Sequence, residues 1–228
     1  ALLDRRVLLL ALLFVAFPLA AYGLSYWLPT VVKGFGVSNT ANGFLNIIPW
    51  LMVALALWWN PRHAERTGER TFHIVVPMLV GVAGLVLSVV LPGNAVKFAC
   101  LSIAAAGIFA GQPVFWTLPS MFLRGATAAA GIAAINSVGN LGGFVAQNVV
   151  PMIRDATGSD LMPMLFLAAC LALGSAVALP SPTGQLMPTS PGLGDEGVGA
   201  ILLGGSGDMD FQSMSAGGFV LVDFVPGP

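Results

Sequence analysis

Charge is what this chain has least of. Of its 228 residues, 8% are Asp, Glu, Lys or Arg, against about 25% in soluble domains. That deficit excludes a well-solvated globular surface. With 57% hydrophobic residues and a mean hydropathy of +0.88, it gives the composition of a membrane protein. A net charge of −1 gives no reason to expect nucleic acid. Cysteine is scarce too. Cys100 and Cys170 both lie in apolar runs and are expected as buried thiols rather than a disulfide. No His/Cys spacing suits a metal, so neither metal nor cofactor is expected. The long apolar runs hold no Asp, Glu, Lys, Arg or His at mid-depth, which takes away the groups a proton pump or an intramembrane protease needs there. No enzyme is expected. His63 and His73 fall in or beside a connection and read as solvated loop residues. The chain starts on Ala1 instead of Met, which suggests a piece of a longer one.

What the chain has in quantity is apolar length. A spanning helix needs about 20 apolar residues at 1.5 Å each to cross about 30 Å of hydrocarbon. Six stretches qualify: residues 7–28, 40–59, 72–91, 98–118, 126–153 and 161–179. Asp4-Arg5-Arg6, the apolar run after it and Ala20-Ala21 have the outline of a secretory signal, but the run continues to Leu28. With the N-terminus inside, cytoplasmic segments hold Arg5, Arg6, Arg62, Arg66, Arg70 and Arg124, and outer ones hold Lys33, Lys97 and Arg154. This bias predicts both termini in the cytoplasm. Residues 1–180 are therefore read as an all-α, polytopic unit in a lipid bilayer. Residues 181–228 contain no Lys or Arg, five acids, and 16 glycines and prolines. They are expected as a disordered tail, with a short hairpin at residues 217–226 as the alternative.

The polar groups within the spans are amides and aromatic rings. Asn136, Asn140 and Gln147 stand at i, i+4 and i+11, within about 40° of one helix face. Gly143 shares that face, and Gly139 and Gly142 flank it. An amide pointed at lipid is left unsatisfied, so this face must meet protein or a water-filled cavity. The first span has Tyr22 and Tyr26 with Ser25, the second Asn42 and Asn46, the fourth Gln112 and Trp116. The third and sixth have only Ser88 and Ser175, each able to bond back to its own helix. Spans one, two, four and five are thus expected to surround a polar space, and three and six to face lipid as scaffold. Such amides also serve as glue between helices, at about 0.6–2 kcal/mol each. Asn42, nearer a helix end, is expected only to cap. Asn42/Asn46 and Asn136/Asn140 each follow a span closing on an aromatic-Trp and a proline, a faint repeat that suits two inverted three-helix units.

The connection Pro61-Arg62-His63-Ala64-Glu65-Arg66-Thr67-Gly68-Glu69-Arg70 resembles the cytoplasmic signature of the major facilitator superfamily: glycine, three residues, acid, arginine, any residue, glycine, two basic residues. Glu65, Arg66, Gly68 and Arg70 match, while Pro61 and Glu69 depart. Gly68 permits a tight turn, and the acid can pair with a neighbouring arginine or a helix N-terminus across the interface between two halves. A merely solvated basic loop is the plainer reading. More narrowly, Tyr22 to Pro29, Gly107 to Trp116 and Ile135 to Phe144 resemble helices seven, ten and eleven of the anion:cation symporter family, and Arg154 to Ser159 the loop after the last. The likeness runs in order over residues 5–180. Ala146-Gln147 departs from it, and the tail has no counterpart. The resemblance implies the C-terminal half, helices seven to twelve, of a carrier in the bacterial inner membrane that takes up an organic anion (a sugar acid, dicarboxylate or aromatic acid) together with a proton. It would place Asn136 and Asn140 on the substrate, Gln112 and Asn46 in support, and Tyr22, Tyr26 and Trp116 as walls or gates. The cation and the titratable acid would come from a missing N-terminal six-helix half, so the chain alone is expected not to transport. A half-transporter that assembles with a partner, and a degraded copy without transport, are the alternatives.

Overall fold

The computed structural model describes residues 4–36, 38–123 and 126–178, and these are helical with short turns. Arg124 and the tail beyond residue 178, with its expected disorder, lie outside the described residues. Helix α1 spans Arg5–Lys33, α2 Asn39–Leu45, α3 Ile47–Thr67, α4 Thr71–Val90, α5 Asn94–Phe122, α6 Ala126–Thr157 and α7 Leu161–Ala178. Among the described residues, six helical segments are long and apolar enough to cross a membrane, the second, Thr40–Thr67, joining most of α2 to all of α3. At 1.5 Å per residue, the 29 residues of α1 reach about 43 Å, longer than the hydrocarbon layer.

The second span is broken at Asn46, three residues before Pro49, which has no N–H to offer the Leu45 carbonyl. Asn46 closes α2 and opens α3 at φ −65°, ψ −12°. Its Nδ2 donates to Asn42 O at 2.8 Å and Asn42 Oδ1 at 2.6 Å. This span is also longer than the composition suggested. The segment Pro61–Thr67, expected as a loop, continues α3 as helix, and the chain turns only at Gly68, with φ 68°. A left-handed residue there costs least as glycine.

The packing sorts the helices into two rows. α1 lies along α6 and also meets α5; α5 meets α3; α4 and α7 pack on one another and against α5 and α1 respectively. So α3, α5, α1 and α6 form one row, and α4 and α7 stand behind it. The back row is made of the two spans expected as scaffold. Exposed on it are Phe72, Val76, Leu79, Leu87, Leu165 and Leu173, all apolar. Ser88 donates to Leu85 O and Ser175 to Ala172 O, each within its own helix. Glycines set the close contacts: a Cβ on Gly84 would strike the Cys100 carbonyl and Ala104, and one on Gly107 the Pro77 carbonyl. Below, the proximal end of the bundle is the one where α1 begins, and the distal end the opposite one.

Candidate functional site

The amide stripe of α6 keeps its face. Asn136, Asn140 and Gln147 are all exposed on this bundle. Asn140 Nδ2 donates to Asn136 O at 2.8 Å and Asn136 Oδ1 at 2.9 Å. That is the same bond pattern as Asn46 on Asn42. It leaves the Asn136 NH₂ and the Asn140 carbonyl oxygen without partners among the described residues, a donor and an acceptor side by side. Beside them α1 comes close through three glycines. Gly139 lies under the Phe14 ring, Gly142 under the Val15 carbonyl, and Gly143 under the Tyr22 ring. Any side chain at those positions would displace its neighbour. Tyr22 is thereby laid against α6 one turn beyond Asn140, with 44% of its surface exposed.

Trp116 of α5 joins from the other side. Its ring meets Phe14 edge-on at 4.6 Å, and Phe14 stacks on Phe115 at 5.1 Å. Gln112 stands one turn before Trp116, half-buried, with no hydrogen-bond partner among the described residues. Tyr22, Asn136, Asn140, Trp116 and Gln112 are therefore carried by three adjoining helices, with Phe14 as the shared packing.

Tyr26 and Asn46 sit elsewhere. Tyr26 lies near the distal end, edge-on to Trp27 at 5.6 Å. The Arg154 guanidinium covers the Trp27 ring at 4.9 Å and donates from Nε to Asp160 Oδ1 at 3.1 Å. The Trp27 indole N–H is buried without a partner. Arg154 continues the Asn136–Gln147 stripe on the same line, five turns after Asn136, a signal the 3.6 period holds and the sequence reading passed over. Asn46 stays at the α2–α3 break, where Asn42 also donates to Pro29 O at 3.3 Å. Asn42 thus does more than cap; it ties the break to α1.

At the proximal end, Glu65 and Arg66 are exposed and make no ion pair among the described residues. The acid that takes a helix N-terminus is Glu69, one of the departures from the signature. It accepts from the amides of Thr71 at 3.0 Å and Phe72 at 2.8 Å, where the α4 dipole favours negative charge. Arg62 donates to Trp58 O at 2.7 Å and covers the Trp58 ring. Asn60 was missed in the sequence. It is 4% exposed and donates to His73 O at 2.9 Å and Ala110 O at 2.8 Å, joining α3 to α4 and α5. His63 and His73 are not separately solvated; His63 Nδ1 lies 2.7 Å from His73 Nε2. Among the described residues no three His, Cys, Asp or Glu could hold a metal ion.

Comparison with known proteins adds a family. The model of the Major Facilitator Superfamily matches residues 1–147. A protein of Agrobacterium vitis named "Putative tartrate transporter" is 41% identical over 77% of this chain and 39% of its own length. A "Quinolone resistance transporter" of Acinetobacter baumannii is 41% identical over 76% of this chain and 40% of its own length. The "Inner membrane transport protein RhmT" of Escherichia coli (strain K12) is 36% identical over 78% and 42%. The chain spans about two fifths of the length of these relatives.

Proposed function

The chain belongs to the major facilitator superfamily, and from that premise we propose that it forms the C-terminal six-helix half of a carrier for a small organic anion, moved together with a proton. One observation carries the reading. The donor–acceptor pair of Asn136 and Asn140 stands exposed on α6 beside Tyr22, in helices with no charged side chain at mid-depth. Neutral amides and a tyrosine hydroxyl suit carboxylate and hydroxyl oxygens. The full cation and the proton-binding acid are then supplied by six further helices, across a site between the two halves. The relative named for tartrate, a hydroxylated dicarboxylate, supports the anion class. Gln112 and Trp116 complete the wall, Tyr26 lines the path at the distal end, and Asn46 acts through the α2–α3 break. We place the carrier in a bacterial inner membrane with both ends of this bundle's chain in the cytoplasm. Glu65, Arg66, Gly68 and Arg70 then face the other half. The uncovered apolar faces of α3 and α6 equally serve a half-transporter that assembles with a partner.

The test joins this chain to the first six helices of the tartrate-named relative and follows labelled tartrate into proteoliposomes under an imposed proton gradient. Uptake that a protonophore abolishes, and that Asn136→Ala or Asn140→Ala lowers at least about tenfold, equivalent to about 1.4 kcal/mol, is expected. Wild-type apparent affinity in both variants would return these amides to helix glue.

A further inference from the structure

Two imidazoles lie outside everything the transport reading uses. His63, near the end of α3, and His73, in the first turn of α4, are the chain's only histidines. Their facing nitrogens, Nδ1 of His63 and Nε2 of His73, are 2.7 Å apart. Contact at that distance requires one proton between them. The surroundings decide which ring supplies it. His73 Nδ1 is buried without a hydrogen bond and lies 3.6 Å from Glu69 Oε2. An N–H facing a carboxylate is favourable there, whereas a lone pair is not. His73 therefore keeps its proton on Nδ1 and accepts at Nε2, and His63 donates from Nδ1. Glu69 is held by the Thr71 and Phe72 amides. The His63 ring stacks on Trp59, centroids 5.0 Å apart and 18° from parallel.

We propose that Glu69, His73 and His63 form a proton-binding clasp that fastens the end of α3 to the start of α4. A first proton enters at His63 Nε2. It leaves the bridge intact and places a cation against the Trp59 indole, one imidazole away from a carboxylate. A second proton has only His73 Nε2 to go to. Two N–H donors would then point at each other across 2.7 Å, each on a cation, and the rings must part. The clasp is closed with no proton or one and open with two.

The other charged groups nearby are Arg62, Glu65, Arg66 and Arg70, and none pairs with either ring among the described residues. α5 packs on both helices, but its titratable groups are Lys97 and Cys100, the latter at the level of Gly84. α7 brings Cys170, next to the Leu171 that meets Gly81, about two turns along α4 from His73. The switch thus lies within these three side chains. It governs the turn at Gly68, which carries the signature residues, and does not depend on what the bundle transports.

With only two histidines, ¹⁵N-histidine NMR of the full chain in lipid nanodiscs is unambiguous. At about pH 8, both rings are expected as the Nδ1–H tautomer. Between about pH 8 and 5, one proton is taken up with the cross-ring contact intact, and the second only as that contact is lost. The Trp59 fluorescence, taken as wild type minus Trp59→Phe, falls as the stacked ring charges. In His73→Gln, which removes the coupled partner, the pH dependence of this signal is expected to change. Glu69→Gln, which leaves both rings in place, is expected to release the Nδ1–H preference of His73. Two rings that each reach full charge independently, each unchanged when the other is replaced by glutamine, would overturn the proposal.

Discussion

Gly143 carries no side chain, and Tyr22 occupies the space this leaves. Gly143→Leu should drive the ring off α6, costing about 1–3 kcal/mol of stability by overpacking and weakening anion binding while circular dichroism still shows full helix. An unchanged affinity would separate Tyr22 from the site. Asn60 offers a second check. Asn60→Leu removes two bonds between helices and should lower stability by about 1–2 kcal/mol in a mixed-micelle unfolding titration. At this scale the sequence was legible where periodicity speaks: Asn136, Asn140 and Gln147 share a face because 3.6 residues make a turn. It was silent where only the third dimension brings groups together. Asn60 lies 50 residues from the Ala110 carbonyl it binds, and nothing local marks the bond. His63 and His73 flank a turn, so their positions looked solvated until α3 was seen to run on through Thr67.

Among the elements, the α2–α3 break separates two uses of one motif. Asn42/Asn46 and Asn136/Asn140 make the same pair of bonds, yet only the first interrupts a helix. Pro49 stands three residues after Asn46, whereas the proline of α6, Pro151, lies eleven residues beyond Asn140. Pro49→Ala restores an N–H to the Leu45 carbonyl and is expected to fuse α2 and α3 into one straight helix. Spin labels at Ala41 and Val53 should report the change as a longer, narrower distance distribution. The six apolar runs announced the spans themselves, since length and hydropathy alone select a transmembrane helix. Their ends were less visible. Polar residues such as Arg62, His63 and Glu65 look like loop, but they continue α3 as helix.

For the whole molecule, the exposed faces set the expectation. Ile47, Trp50, Leu51 and Leu55 on α3, and Leu141 and Phe144 on α6, are uncovered, and α6 presents its amides between them. A bundle that shows amides to lipid leaves them unsatisfied, so the 228-residue chain by itself should bind its anion weakly and move none. Flux through proteoliposomes containing this chain alone would contradict the two-half reading. Four spans carry polar pairs and two carry none, and the two without stand together in the back row. Which helices touch was not legible, since that depends on glycines whose neighbours lie far along the chain. The three glycine seats between α1 and α6 have a mechanical consequence. Phe14, Val15 and Tyr22 act as teeth in slots, so α6 can neither roll nor slide against α1 without unseating all three. Its seams with α5 and α7 are slight by comparison. If the bundle rocks, α1 and α6 should travel as a single rod, and any slip against α5 must run along both the α1–α5 and the α5–α6 seams. Paired labels across α1–α6 would then hold one distance in every state, while those across α5–α6 would report two.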